Sequence, residues 1–208
     1  MKSILCYGDS NTWGYNPEED ARYLWDERWP GMLKHYLGAE YQVIEDGLCG
    51  RTTQYDSETE QYVNGFQTAL FAARVHQPID IAVVMLGTND CKDVYHAKPE
   101  TIAQGVRAIG KIFEKAGAAV LIISPASMKE LNKGPFSEEF GQKAEEKSRQ
   151  LKKWYWDITK SEGWLFLDAD QCIHAGMYDR IHLDKDNHRK LAWEIYKCIS
   201  RMEGNHGR

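Results

Sequence analysis

The chain has 208 residues, 42% of them apolar and 27% charged, with 26 basic against 31 acidic side chains for a net charge of −5. That is an ordinary soluble composition for one domain spanning residues 1–208, since domains run to about 100–200 residues. The longest apolar run, Ile79 to Leu86, is interrupted by Asp80 and falls far short of the ~20 residues that span a bilayer. The acidic balance argues against nucleic acid as a partner, because that affinity comes mainly from Lys and Arg neutralising phosphates.

Five short apolar runs read as strands: Ser3–Tyr7, Gln42–Glu45, Ile79–Leu86, Ala119–Ile123 and Trp164–Leu167. Three are nearly continuous in Val, Ile, Leu and Met, the pattern of strands covered on both faces. The first runs directly into a turn at Gly8 and is too short for a secretory h-region, so a cytoplasmic protein is expected. Trp29–Leu37 reads as a short helix. Thr101–Ala116 puts Ile102, Val106, Ile109 and Phe113 on one stripe, with Pro99 near its start and Gly117 past its end. Glu138–Ser161 reads as one long helix, and Asp186–Met202 as the last. Strands alternating with helices imply βαβ units and a doubly wound parallel sheet. Five scattered cysteines without a CxxC pair suggest neither a disulfide framework nor a metal site.

In such a sheet the ligand crevice lies beyond the carboxyl ends of the strands. Small and ionisable residues gather there. Gly8-Asp9-Ser10-Asn11 follows the first strand and Asp46-Gly47 the second. Gly87-Thr88-Asn89-Asp90 follows the third, and Asp179-Arg180-Ile181-His182 precedes the last helix. Ser10 supplies a hydroxyl that needs a base to become nucleophilic. His182 is a base mostly neutral at pH 7, and Asp179 would fix its tautomer. The N–H groups of Ser10 and Gly47 and the side-chain amide of Asn89 would form a three-donor oxyanion hole. Each piece alone has a plainer reading as a turn, a helix cap or a surface pair.

Two irregular stretches, Asn11–Arg28 and Ser124–Ser137, follow strand ends and read as crevice walls or surface decoration. The first carries Trp13, Tyr15, Tyr23 and Trp25. The aromatics between Trp13 and Trp29 fit either a self-association surface or core packing, and the homo-oligomer is expected from the first of these.

The four blocks together resemble the SGNH hydrolases, the GDSL esterase/lipase family. The likeness runs from Gly8 to His188. Gly8-Asp9-Ser10-Asn11 looks like the nucleophile block, Gly47 falls in the glycine block, Gly87-Thr88-Asn89-Asp90 looks like the asparagine block, and Asp179-Arg180-Ile181-His182 looks like the Asp-x-x-His block. Asn11 stands where the family's older name expects leucine. The resemblance implies a three-layer, flavodoxin-like α/β sandwich with strand order 2-1-3-4-5, a Ser10–His182–Asp179 triad, and an oxyanion hole from Ser10, Gly47 and Asn89. It also implies small-molecule ester substrates, with no metal or organic cofactor.

A narrower likeness, through Thr12-Trp13-Gly14-Tyr15 and Gly47-Leu48-Cys49-Gly50-Arg51-Thr52-Thr53, is to the bacterial arylesterase/acyltransferase branch. It implies transfer of the acyl group to alcohols beside hydrolysis. Asp9, Asn11 and Trp13, flanking the nucleophile, are expected to line the substrate pocket. A carbohydrate O-acetylesterase would carry the same triad. The alternative of another class is a non-catalytic binding protein on this fold, which would have no need of Ser10, Asn89, Asp179 and His182 all together.

Overall fold

The computed structural model describes residues 1–206; the last two of the expected 1–208 domain lie outside the described residues. In chain order the elements are β1 (Lys2–Gly8), α1 (Ser10–Trp13), β2 (Tyr15–Asn16), β3 (Ala21–Arg22), α2 (Trp29–Leu37), β4 (Tyr41–Gly47) and α3 (Gly65–Val75). They continue with β5 (Ile81–Met85), α4 (Pro99–Lys115), β6 (Ala119–Ser124), α5 (Ser137–Phe140), α6 (Ala144–Glu162), β7 (Leu165–Asp168) and α7 (Lys185–His206). The main sheet has five strands in the order β4-β1-β5-β6-β7, and every pair is parallel. This is the expected 2-1-3-4-5 arrangement.

Alternate residues of the central strands enter opposite cores, as the two-residue period of a strand requires. Leu5, Tyr7, Ala82, Val84, Val120 and Ile122 pack with α3, α4 and α6 on one side. Ile4, Cys6, Ile81, Val83, Leu121 and Ile123 pack with α2 and α7 on the other. The predicted stripe of α4 is fully buried: Ile102, Val106, Ile109 and Phe113 have no exposure. Pro99 opens that helix, where its missing N–H costs nothing.

The structure departs from the sequence-based expectations at three places. Helix α3 was not anticipated. The expected Glu138–Ser161 helix is broken into α5 and α6 at Gly141, whose φ of 69° is left-handed backbone that ends a helix. The aromatic Asn11–Arg28 stretch contains the antiparallel hairpin β2–β3. Of its aromatics Tyr23 is buried, Trp13 and Tyr15 are partly buried and Trp25 is half exposed; Trp29, which opens α2, is fully buried.

Candidate active site

Ser10 opens α1 at the carboxyl end of β1. Asp9 caps this short helix, its carboxylate accepting the Asn11 N–H at 3.0 Å. Burial raises the Asp9 carboxyl to about 6, against the pull of that N–H. A helix start leaves N–H groups without intrahelical partners, so the backbone around Ser10 is rich in donors.

Asp179 and His182 come from the segment between β7 and α7. Asp179 Oδ1 accepts the backbone N–H groups of Ile181 at 3.0 Å and His182 at 2.9 Å. Its Oδ2 lies 2.5 Å from His182 Nδ1. Burial alone would push this carboxyl up. The His182 side chain, followed by the backbone N–H groups of His182 and Ile181, outweighs it and holds Asp179 below its ordinary value. Asp179 is therefore a carboxylate at neutral pH and can only accept, so Nδ1 of His182 carries the proton. Nε2 is left as an acceptor, and it lies 2.8 Å from Ser10 Oγ. All three side chains are buried. Two rings neighbour the imidazole, Tyr15 at 4.6 Å and Phe136 at 6.1 Å between centroids.

Asn89 begins a single 3₁₀ turn after β5. Its amide donates to the Arg51 carbonyl at 3.1 Å. The neighbouring Asp90 accepts the Thr53 N–H at 2.9 Å, and burial raises its carboxyl to about 6. These bonds stitch the loop after β4 to the asparagine turn. Arg51 fixes the same loop from below: its guanidinium donates to the Gly8 carbonyl at 2.9 Å and to the Asp46 carboxylate at 2.8 Å.

A cavity of about 170 Å³ opens beside these groups, with Ser10, Asn89 and His182 in its wall. Gly47 is not among its lining residues, whereas Gly50 is. Gly47 ends β4 against α1, and a Cβ there would stand 2.2 Å from the Trp13 nitrogen. Its glycine character serves close packing, and the residue at the cavity is three positions further on. Asp9, Asn11 and Trp13 do not line the cavity either. Asp9 is occupied as the cap. Asn11 turns toward the histidine loop and accepts the Leu183 N–H at 2.9 Å. Trp13 is covered by the hairpin, with the Arg22 guanidinium 5.0 Å from its ring centre.

The apolar walls come instead from Tyr15, Phe136, Phe140 and Ile181. Tyr15 and Phe136 belong to the two irregular stretches read as crevice walls. Glu60, Lys92 and Glu139 supply the charged part of the lining, and Lys92 is paired with Glu139 at 2.6 Å. No sequence signal singled out these three.

The sequence profile of the GDSL-like lipase/acylhydrolase family matches residues 6–190. The chain belongs to this family. Its fold is shared with Est24, a carbohydrate acetylesterase from Sinorhizobium meliloti. That likeness has a TM-score of 0.93 at 31% identity, covering 97% of this chain and 100% of the other. The aryl esterase of M. smegmatis is similar at TM-score 0.92 and 32% identity, covering 97% and 99%. A search of curated protein sequences found no match. As a GDSL-family acylhydrolase with these neighbours, the protein is a serine esterase acting on carboxylic esters. No helix among the described residues is long and apolar enough to cross a membrane.

Proposed function

We propose that Ser10, His182 and Asp179 are the catalytic triad of this esterase and that its substrates are esters of short acyl groups. The observation that carries the reading is the 2.8 Å contact from His182 Nε2 to Ser10 Oγ, with Nδ1 held by Asp179. His182 takes the Ser10 proton as Oγ attacks the ester carbonyl, and returns it to the departing alkoxide. Water, deprotonated by the same imidazole, then releases the acid from the acyl-serine. Three donors are proposed for the oxyanion: the N–H groups of Ser10 and Gly50 and the Asn89 amide. Gly50 replaces Gly47 in this role because it lines the cavity. An amide has two N–H donors; Arg51 takes one from Asn89, and the other is free to serve the oxyanion.

The cavity of about 170 Å³ supports small acyl groups. Its apolar walls favour aryl or alkyl alcohols, and with them acyl transfer to an alcohol. Its charged part, Glu60, Lys92 and Glu139, favours the second reading, an acetylated sugar whose hydroxyls these groups would bind. Five free cysteines accord with a reducing, cytoplasmic setting. The test is covalent labelling of Ser10 by a fluorophosphonate, with hydrolysis of acetyl to octanoyl nitrophenyl esters measured beside acetylated sugars. Failure of Ser10 to label would overturn the triad. Preference for octanoyl esters would overturn the short-acyl reading.

A further inference from the structure

The strands behind the three proposed oxyanion donors are not all neighbours. β4 and β5 lie on opposite sides of β1 and pair only with it, not with each other. Ser10 follows the middle strand, whereas Gly50 and Asn89 sit on loops that follow the outer two. The sheet fixes where those strands end, and the loops beyond must be held together by other bonds.

Asp90 supplies them. Its Oδ1 accepts the Thr53 hydroxyl at 2.5 Å and the Thr53 N–H at 2.9 Å, and its Oδ2 lies 3.0 Å from the same nitrogen. Both residues are fully buried. Thr53 is also gripped from behind. Its carbonyl accepts the Phe66 N–H at 2.8 Å, and Gly105 of α4 approaches so closely that a Cβ there would collide with the Thr53 hydroxyl. A carboxylate can take both Thr53 donors without presenting a donor of its own, which an amide of the same size cannot do. Asp90 is not among the residues that line the cavity, so it reaches the reaction only through its neighbours.

We infer that Asp90 is a positioning residue of the oxyanion hole: its grip on Thr53 closes an arc around the end of β1 and holds the Gly50 N–H and the Asn89 amide at a fixed separation around Ser10. The inference rests on the donors proposed above. Gly50 lies three residues before Thr53, and Asn89 is the residue before Asp90. A slack joint between Thr53 and Asp90 therefore shifts two donors relative to the third. A misplacement of about 1 Å can cost 10²-fold in rate. The oxyanion develops only as the ester carbonyl is attacked, so the loss falls on kcat rather than KM.

Asp90→Asn tests the inference, because at constant volume it sets an amide N–H against the Thr53 donors. Burial raises the Asp90 carboxyl to about 6, so the comparison is made at pH 8, where it is ionised. There kcat for nitrophenyl acetate should fall about 10²-fold with KM little changed. Affinity for a trifluoromethyl ketone, which Ser10 converts to a tetrahedral oxyanion, should fall in step with kcat/KM. Thr53→Val, which keeps the N–H bonds, should show a smaller loss, and Thr53→Ser should restore kcat. In an Asn89→Ala background Asp90→Asn should cost less than about tenfold, because a donor already removed cannot be displaced. A purely structural role gives another pattern: a lower melting temperature with kcat intact well below it, or equal losses in both backgrounds. Either result would overturn the inference. Should Asp90→Asn fail to fold, Thr53→Val and Thr53→Ser in the same two backgrounds decide the matter. A wild type whose Ser10 does not react with a fluorophosphonate would overturn the triad and this inference together. A wild type that labels, beside an Asp90→Asn variant of undiminished kcat, would overturn this inference alone.

Discussion

Asn11 accepts the Leu183 N–H at 2.9 Å across 172 residues of chain. Its amide also reaches the Ile181 carbonyl at 3.5 Å, so one side chain brackets the backbone on both sides of His182. Leucine at this position could not do so. Asn11→Leu should leave the Leu183 N–H buried without a partner, at a cost of about 1–3 kcal/mol. For a chain of this size each kcal/mol lowers the melting temperature by about 2–4 °C. Turnover should fall with it, because the imidazole loses its anchor to the serine helix. A thermal scan and kcat for a nitrophenyl ester check both. Unchanged values would show that the clamp has no bearing on the site.

Ser10→Ala should abolish fluorophosphonate labelling and nearly all esterase turnover while the protein stays folded. Loss of the nucleophile costs roughly 10⁶-fold in a comparable triad system. Retention of more than a few per cent of wild-type kcat would refute the assignment.

Asn89→Ala should lower kcat by about 10²–10³ with little change in KM, because an oxyanion donor acts where charge develops. Gly47→Ala should behave differently. Its Cβ would meet the Trp13 nitrogen at 2.2 Å, so the expected loss is in stability. Denaturant melts and steady-state kinetics on the two variants separate these effects. A Gly47→Ala protein of native stability but crippled kcat would restore Gly47 to the oxyanion hole in place of Gly50.

His188 makes the fold sensitive to acid. It is fully buried, accepts the Trp29 N–H on Nδ1 at 3.3 Å, and burial lowers its pKa to about 3. An unfolded histidine titrates near 6.5, so below that pH the unfolded chain takes a proton that the folded chain refuses. Stability from this residue is therefore intact above about 6.5 and is lost as pH falls toward 3, at up to about 1.4 kcal/mol per unit. Asp9 and Asp90, both raised to about 6 by burial, act in the opposite sense between about 4 and 6. Comparing wild type with His188→Gln cancels their contribution. From pH 6.5 to 4.5 the wild type should lose roughly 2 kcal/mol relative to the variant in urea melts. Parallel pH profiles would mean that His188 is protonated in the folded protein.

Acyl transfer should depend on the walls that the cavity has. Each buried CH₂ of an alcohol contributes about 0.8 kcal/mol, or roughly fourfold in partitioning against water. Phe136→Ala should therefore shift the ratio of new ester to free acid toward acid, and Trp13→Ala should not. Chromatography of products from a vinyl ester and a primary alcohol measures the ratio. Only free acid from the wild type would rule out transfer.

The five strands are legible because helices cover both faces of the sheet, which leaves runs such as Ile81–Met85 wholly apolar. The blocks around Ser10 and Asn89 are legible because the carboxyl ends of neighbouring parallel strands must lie together, and the proposed Asp179–His182 pair is legible from its place just before the last helix. Helix α3 is not, since its buried face is alanine and its large residues point outward, the reverse of the usual pattern. Glu60, Lys92 and Glu139 are not, because a charge in a loop looks the same in sequence whether it meets water or a cavity. Trp13 misleads for another reason: proximity to Ser10 in the chain says nothing of the hairpin that folds back over it.

The separation of 172 positions between Ser10 and its proposed base His182 also sets an order in time. A ribosome adds about 5–20 residues each second, so Ser10 precedes His182 by roughly 10–30 s during synthesis. Throughout that interval the nascent polypeptide carries a serine no more reactive than any other. Hydrolytic competence should appear abruptly, when the last loop clears the exit tunnel and docks onto Asn11. Chains stalled before that point should be inert toward a fluorophosphonate.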